Sequence, residues 1–133
     1  MSRENIELVR RVMAEFNETQ QPSELLAPDF VWDMRSWPVW TGQPEFHGAG
    51  GFREFFAEWT EAYDQWTSEI ESIIAADAGQ VVMTMVQHGR MRDSDSWVDL
   101  RATFLYTIED GLITRIKVYE SAGQAFKDAT VSE

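Results

Sequence analysis

Several of the residues able to move a proton stand beside tryptophan in this chain. In "FVWDMRSWPVWTGQPEFHG", residues 30 to 48, Asp33, Arg35 and His47 lie among Trp32, Trp37 and Trp40, three of the six tryptophans. That combination describes either an apolar pocket holding an acid–base pair or a core strand followed by a decorated loop. Asp33 is a candidate base; the plainer reading is an outward carboxylate or a partner for Arg35. His47 precedes a glycine at a helix entry, as a candidate acid or base or as a group that satisfies the backbone there. Asp99 and Arg101 resemble a dyad, but alternation puts both on one outer strand face, where an ion-pair lattice with Arg90 accounts for them. Glu120 is the third candidate. Alternation with Thr114, Ile116 and Val118 places it inside or at the rim, where desolvation by Phe104, Tyr106 and Trp32 would raise a carboxyl toward neutrality and suit it to general-base work.

These groups need elements to hold them. Residues 3 to 17 put Ile6, Val9, Met13 and Phe16 at three- and four-residue spacing, with Ser2 placed to cap an amphipathic helix. "SELLA" suits a short second helix ended by Pro28. "DFVWDM" reads as a strand with Phe30, Trp32 and Met34 on one face and Val31 and Asp33 on the other. The loop from Arg35 to Pro44, broken by Pro38 and Gly42, makes Trp37 and Trp40 lid or dimer contacts. "EFHGAGG" leads into a second long helix, in which Phe52, Phe55, Phe56, Trp59, Tyr63 and Trp66 form one face of core aromatics.

From Thr67 onward the pattern becomes strands: "TSEIESIIAA", "QVVMTMVQHGRMR", "SWVDLRATFLYTIE" and "LITRIKVYES", separated by "DAG", "DSDS" and "DG". Short connections make this an antiparallel meander. Its inner positions are Val81, Met83, Met85, Gln87 and Gly89 on one strand, and Val98, Leu100, Ala102, Phe104, Tyr106 and Ile108 on the next. Gln87 and Tyr106 can there orient a ligand's polar group or reach backbone partners. Helices first and a meander afterwards is an α+β arrangement, one domain over residues 1–133, and the "SE" tail is expected to fray.

Composition removes several function classes. The net charge of −12 repels phosphate backbones and anionic lipid, so neither nucleic acid nor membrane is an expected partner. No cysteine is present, which excludes disulfides and thiolate chemistry, and two histidines are too few for a His-rich metal site. No glycine-rich phosphate loop follows a strand, so no cofactor is expected. The charged opening "MSRENIELVRRVM" lacks the apolar stretch of a signal peptide, which makes the cytoplasm the expected compartment.

The order of elements, the "PDFVW" strand, the "FHG" before an aromatic helix and the closing "TIEDGLITRIKVYES" together resemble the SnoaL-like branch of the nuclear transport factor 2 / ketosteroid isomerase superfamily, over nearly the whole chain. The resemblance implies a curved antiparallel sheet wrapped around the N-terminal helices as a cone, with an apolar pocket at its open end and, in many members, a homodimer. Isomerases, polyketide cyclases, dehydratases, epoxide hydrolases and pure binding proteins share that fold, so function stays open. Ketosteroid isomerases use a helix 1 tyrosine, a strand-end aspartate and a protonated aspartate on a late strand. Alignment on "FHG" and "DG" puts Val12, Met34 and Phe104 at those three positions, all apolar, which speaks against steroid-isomerase chemistry.

The resulting expectation is a small hydrophobic ligand held by Phe30, Trp32, Met34, Trp40, Gln87, Phe104 and Tyr106. Either Glu120, Asp33 or His47 supplies cofactor-free isomerisation, cyclisation or dehydration, or the protein binds without chemistry. A protein-interaction module using the outer sheet face is the third reading. Trp97, Val82 and Val86 on that face would cover each other in a homodimer.

Overall fold

A computed structural model describes residues 2–19, 21–37, 40, 42–76 and 79–131, with residues 2, 130 and 131 described by backbone only. The Ser2 side-chain cap, Pro38, Asp77 and Ala78 of the "DAG" turn and the "SE" tail lie outside that description. The order is α1 (Ser2–Thr19), β1 (Leu26–Asp33), β2 (Glu45–His47), α2 (Gly48–Thr60), β3 (Tyr63–Ala75), β4 (Gln80–Met91), β5 (Trp97–Glu109), β6 (Leu112–Tyr119) and α3 (Ala122–Val131). The six strands form one sheet in the order β2-β1-β6-β5-β4-β3. β3 to β6 are the expected antiparallel meander, and β1 joins β6 in parallel with β2 at the far edge. This is the α+β cone of the nuclear transport factor 2-like fold, an open curved sheet with α1 and α2 inside it.

The hydrophobic pattern explains the layers. Val9, Val12, Met13 and Phe16 of α1 are buried against the sheet, as are Val81, Met83, Met85 and Gln87 of β4 and Ala102, Phe104, Tyr106 and Ile108 of β5. Val98, on the same β5 face, lies beyond the helices and is exposed. The turn between β5 and β6 has Asp110 and Gly111 at φ 53° and 78°, the left-handed pair that an Asp-Gly hairpin turn requires. At the other end of the sheet a Cβ on Gly89 would come within 2.6 Å of the Tyr63 ring, so only glycine lets that ring lie across β4.

Four expectations are corrected. "SELLA" is not a helix: Leu26 begins β1, the Leu26 N–H donates to Ser23 O, and the Ile113 N–H donates to Leu25 O. Pro28 is tolerated because the β1–β6 register shifts between Leu26 and Val31, where no ladder donor is needed. The aromatic helix stops at Thr60, so Tyr63 and Trp66 belong to β3. Their three-residue spacing mimicked the helix, but Arg92 fixes the chain reversal through Nε to Glu61 O and Nη2 to Tyr63 O. The third correction is α3, Ala122–Val131, to which the sequence pattern assigned no element. It packs Ala125 and Ala129 over Val82, Leu105 and Tyr119, which removes Val82 from the outer apolar patch. The fourth is β6, where a register shift between Thr107 and Ile108 turns Ile113 inward with Ile116 and Val118. Among the described residues no helix is long and apolar enough to cross a membrane.

Candidate functional site

Between α1, α2 and the inner sheet face lies a narrow cavity of about 50 Å³, room for a few water molecules. A ligand larger than that enters only if rings shift. Strand alternation brings Trp32, Met85, Gln87, Phe104 and Tyr106 to it from below, and α2 lowers Phe52, Phe55, Phe56 and Trp59 from above. The Trp32 ring packs 4.6 Å from Phe55, 5.3 Å from Phe52 and 5.5 Å from Phe104, centroid to centroid. These are the edge-on and tilted contacts that aromatic quadrupoles favour.

The polar groups of the wall are few. Gln87 Oε1 accepts two indole N–H bonds, from Trp59 at 2.7 Å and from Trp66 at 2.9 Å. One amide thus ties the end of α2 to the edge strand β3. The Tyr106 hydroxyl donates to Met13 Sδ at 3.6 Å, and burial pushes its phenol pKa well up, so it stays protonated. Trp32 Nε1 is buried with no hydrogen-bond partner among the described residues. Ser23, at one side, donates to Glu15 at 2.7 Å. No Asp, Glu, His, Lys or Arg lines the cavity among the described residues.

The titratable candidates lie elsewhere. Asp33 is fully buried, but on the sheet face opposite Trp32, where Arg35 grips it with Nε and Nη2 at 3.1 and 2.9 Å and Arg115 Nη2 reaches it at 2.8 Å. Burial alone would raise its pKa; the bonds from Arg35, its backbone N–H included, and from Arg115 outweigh that and hold the carboxyl at about 2. A carboxylate so acidic is a poor base near neutral pH. Its pairing with Arg35 agrees with the plainer reading; its complete burial does not, because two guanidiniums and the β1–β6 pair cover it. His47 is exposed, makes no side-chain capping bond at the start of α2, and lies 3.6 Å from Glu45. Glu120 is exposed in the bend after β6, and the expected desolvation is absent. Alternation had been extended one residue past the strand, where Ser121 already turns the chain into α3 by accepting the Gln124 N–H.

Of the expected ligand contacts, Trp32, Gln87, Phe104 and Tyr106 line the cavity and Phe30, Met34 and Trp40 do not. Phe30 and Met34 are closed core. Trp40 stands one layer back, its ring 5.2 Å from Phe55 and its Nε1 bonded to Gln43 O at 2.7 Å. Trp37, expected as a lid or dimer contact, is buried, lines the cavity and packs 5.2 Å from Trp59. Of the three isomerase positions, Val12 and Phe104 line the cavity and Met34 is core. Sequence reasoning took Trp59 and Trp66 as anonymous core; the signal it passed over was that a buried indole N–H needs an acceptor, and Gln87 is the polar residue on the inner face of β4.

Acid–base groups do cluster outside. On the outer face His88 meets Asp99 at 2.6 Å and Glu69 at 3.1 Å, Arg101 pairs with Glu71 at 2.6 Å and Arg90 with Asp64 at 2.8 Å. The expected lattice of Asp99, Arg101 and Arg90 is replaced by separate pairs, Asp99 with His88, Arg101 with Glu71 and Arg90 with Asp64.

Comparison with known proteins agrees with this fold. Bal32a from a soil-derived mobile gene cassette superposes with a TM-score of 0.73 at 15% identity, covering 96% of both chains. TerC, co-crystallised with polyporic acid, gives 0.71 at 18% identity over 95% of this chain and 97% of its own. A protein of ketosteroid isomerase-like fold from Catenulispora acidiphila, in complex with trimethylamine, gives 0.67 at 15% identity over 93% of this chain and 92% of its own. At such identities the likeness concerns the fold alone. No curated protein sequence matches the chain. The SnoaL-like domain model matches residues 9–116, so the chain belongs to the SnoaL-like family.

Proposed function

We propose that this protein binds a small, uncharged hydrophobic molecule in the inner cavity and holds it without acid–base chemistry. The observation that carries this is the cavity wall, which among the described residues has no carboxylate, imidazole, ammonium or guanidinium. An isomerase, cyclase or dehydratase working through an enolate needs a base near its working pKa beside the substrate. Asp33 is on the other face and strongly acidic, and Glu120 and His47 are in solvent. An apolar wall with a few polar groups is the usual make-up of a small-molecule site.

The test is a thermal-shift and tryptophan-fluorescence screen of uncharged hydrophobic metabolites, with product analysis of every binder. A ligand that binds only the folded state raises the melting temperature, and binders recovered unchanged are expected. Turnover that survives neutralising Asp33, Glu120 and His47 would place catalysis in the cavity and overturn the reading.

We propose further that two copies associate through the outer face around Trp97, which is 54% exposed opposite Arg90, with the half-buried Val86 farther along β4 on the same face. Sedimentation velocity is expected to give a dimer that Trp97→Ala weakens without unfolding the chain, since interface aromatics dominate binding energy. A monomer at high concentration contradicts it.

A further inference from the structure

We infer that the cavity selects ligands carrying a carbonyl-type oxygen, which accepts a hydrogen bond from the indole N–H of Trp32. This rests on the hydrophobic-ligand reading and adds the ligand's polar end to it. Indole nitrogen can only donate. Trp32 is 5% exposed and its ring lines the cavity, yet its buried N–H has no partner among the described residues. Buried donors left unpaired are rare in folded proteins and each needs a cause. The fold supplies acceptors to other indoles nearby: Gln87 Oε1 serves both Trp59 and Trp66, and Gln43 O serves Trp40. Trp32 is left out.

The other polar groups of the wall have the same sign. With two donors already on its carbonyl oxygen, Gln87 has only its amide N–H₂ to offer an occupant. Tyr106 spends its proton on the sulfur of Met13 at 3.6 Å, a weak acceptor that a carbonyl oxygen replaces with gain. Ser23 donates to Glu15 and accepts the Leu25 N–H, leaving one lone pair as the wall's main acceptor besides the phenol oxygen.

Charge arguments then narrow the ligand. An anion would meet donors but, among the described lining residues, no cation, in surroundings that penalise unpaired charge. A quaternary ammonium ion could use the ring faces, but it would face positively polarised N–H and O–H groups and leave the Trp32 donor unpaired. A neutral carbonyl compound satisfies the donors while its apolar body lies against Phe52, Phe55 and Phe104.

The experiment uses three probes on the wild-type chain: indane, 1-indanone and tetramethylammonium. Affinities come from tryptophan fluorescence and calorimetry, and ¹H–¹⁵N spectra follow the assigned Trp32 indole N–H. The expected result is binding of 1-indanone about tenfold tighter than indane, the scale of one satisfied hydrogen bond, with the Trp32 N–H resonance moving downfield for the ketone only. In Trp32→Phe the preference falls toward unity while indane still binds; if that variant does not fold, the wild-type spectrum decides. Equal affinity for indane and 1-indanone, or an unmoved N–H, overturns this inference and leaves the hydrophobic-ligand reading standing. Tighter binding of tetramethylammonium than of the ketone also overturns it. Binding of none of the three removes the underlying reading and this inference with it.

Discussion

The two faces of the sheet divide the chemistry of the molecule between them. Inside, Trp32, Gln87, Phe104 and Tyr106 meet α1 and α2 around a cavity whose described lining has no acid or base. Outside, the same strands carry Glu69, His88, Asp99 and Arg101, with Asp33, Arg35 and Arg115 farther along. Period-two alternation is the cause: on β1 Trp32 points in and Asp33 out, and on β4 Gln87 points in and His88 out. A one-residue slip would exchange the sets. Proximity in sequence to a tryptophan-rich pocket is therefore no guide to chemistry in it.

The largest expected effect comes from the inner face. Phe104→Ala deletes a nearly buried ring and is expected to cost about 3–5 kcal/mol in urea denaturation, with part of the loss restored by an aromatic ligand that fills the space. A loss below about 1 kcal/mol would mean the cavity wall is not packed as described. Gln87→Leu strands the indoles of Trp59 and Trp66; both are half-buried, so the expected cost is about 2 kcal/mol. It should be smaller in a Trp59→Phe background. An unchanged cost there would show that the amide does not tie α2 to β3.

On the outer face the effects are smaller and follow pH. Asp33 titrates near 2 in the folded chain against 3.8 ordinarily, so its pairing contributes roughly 2 kcal/mol. With a depressed pKa, that contribution is full above the ordinary value and fades as pH falls through about 2. Asp33→Asn should thus lose about 2 kcal/mol at neutral pH and converge on wild type in strong acid; an equal gap throughout would contradict the ion-pair origin. The smallest effect is at His88. Hydrogen bonds to Asp99 and then Glu69 raise its pKa above 6.5, so its stabilisation is present below that value and disappears as pH rises through the folded one. Stability measured against pH should show this decline in wild type and not in His88→Gln.

How far the sequence reached follows the same alternation. The inner residues of β4 and most of β5 were legible because uninterrupted strands keep period two, and the Asp110–Gly111 turn marked where β5 ends. Glu120 was misplaced because alternation was carried past Tyr119, the last residue of β6. Ile113 was missed because the shift at Thr107 and Ile108 is a property of the pairing, invisible in one strand. Tyr63 and Trp66 fit a helical stripe as well as a strand, and the long-range pairing with β4, Tyr63 opposite Met91 and Trp66 opposite Gly89, decides between them. α3 carries Gly123, a poor helix former, in its first turn, and its small buried face of Ala125 and Ala129 has little hydrophobic amplitude. The Asp33 network joins β1 to β6 over 82 positions of sequence, a distance that no local pattern spans.

The most direct measurement of the division between faces is the pH dependence of binding of an uncharged hydrophobic probe such as indane, followed by tryptophan fluorescence from roughly pH 5.5 to 9, where histidines and desolvated carboxyls titrate. With no ionisable group in the described wall but a tyrosine held protonated by burial, the dissociation constant is expected to vary by less than about twofold. A change of about tenfold or more that follows a single ionisation would put an acid or base inside the cavity and contradict it.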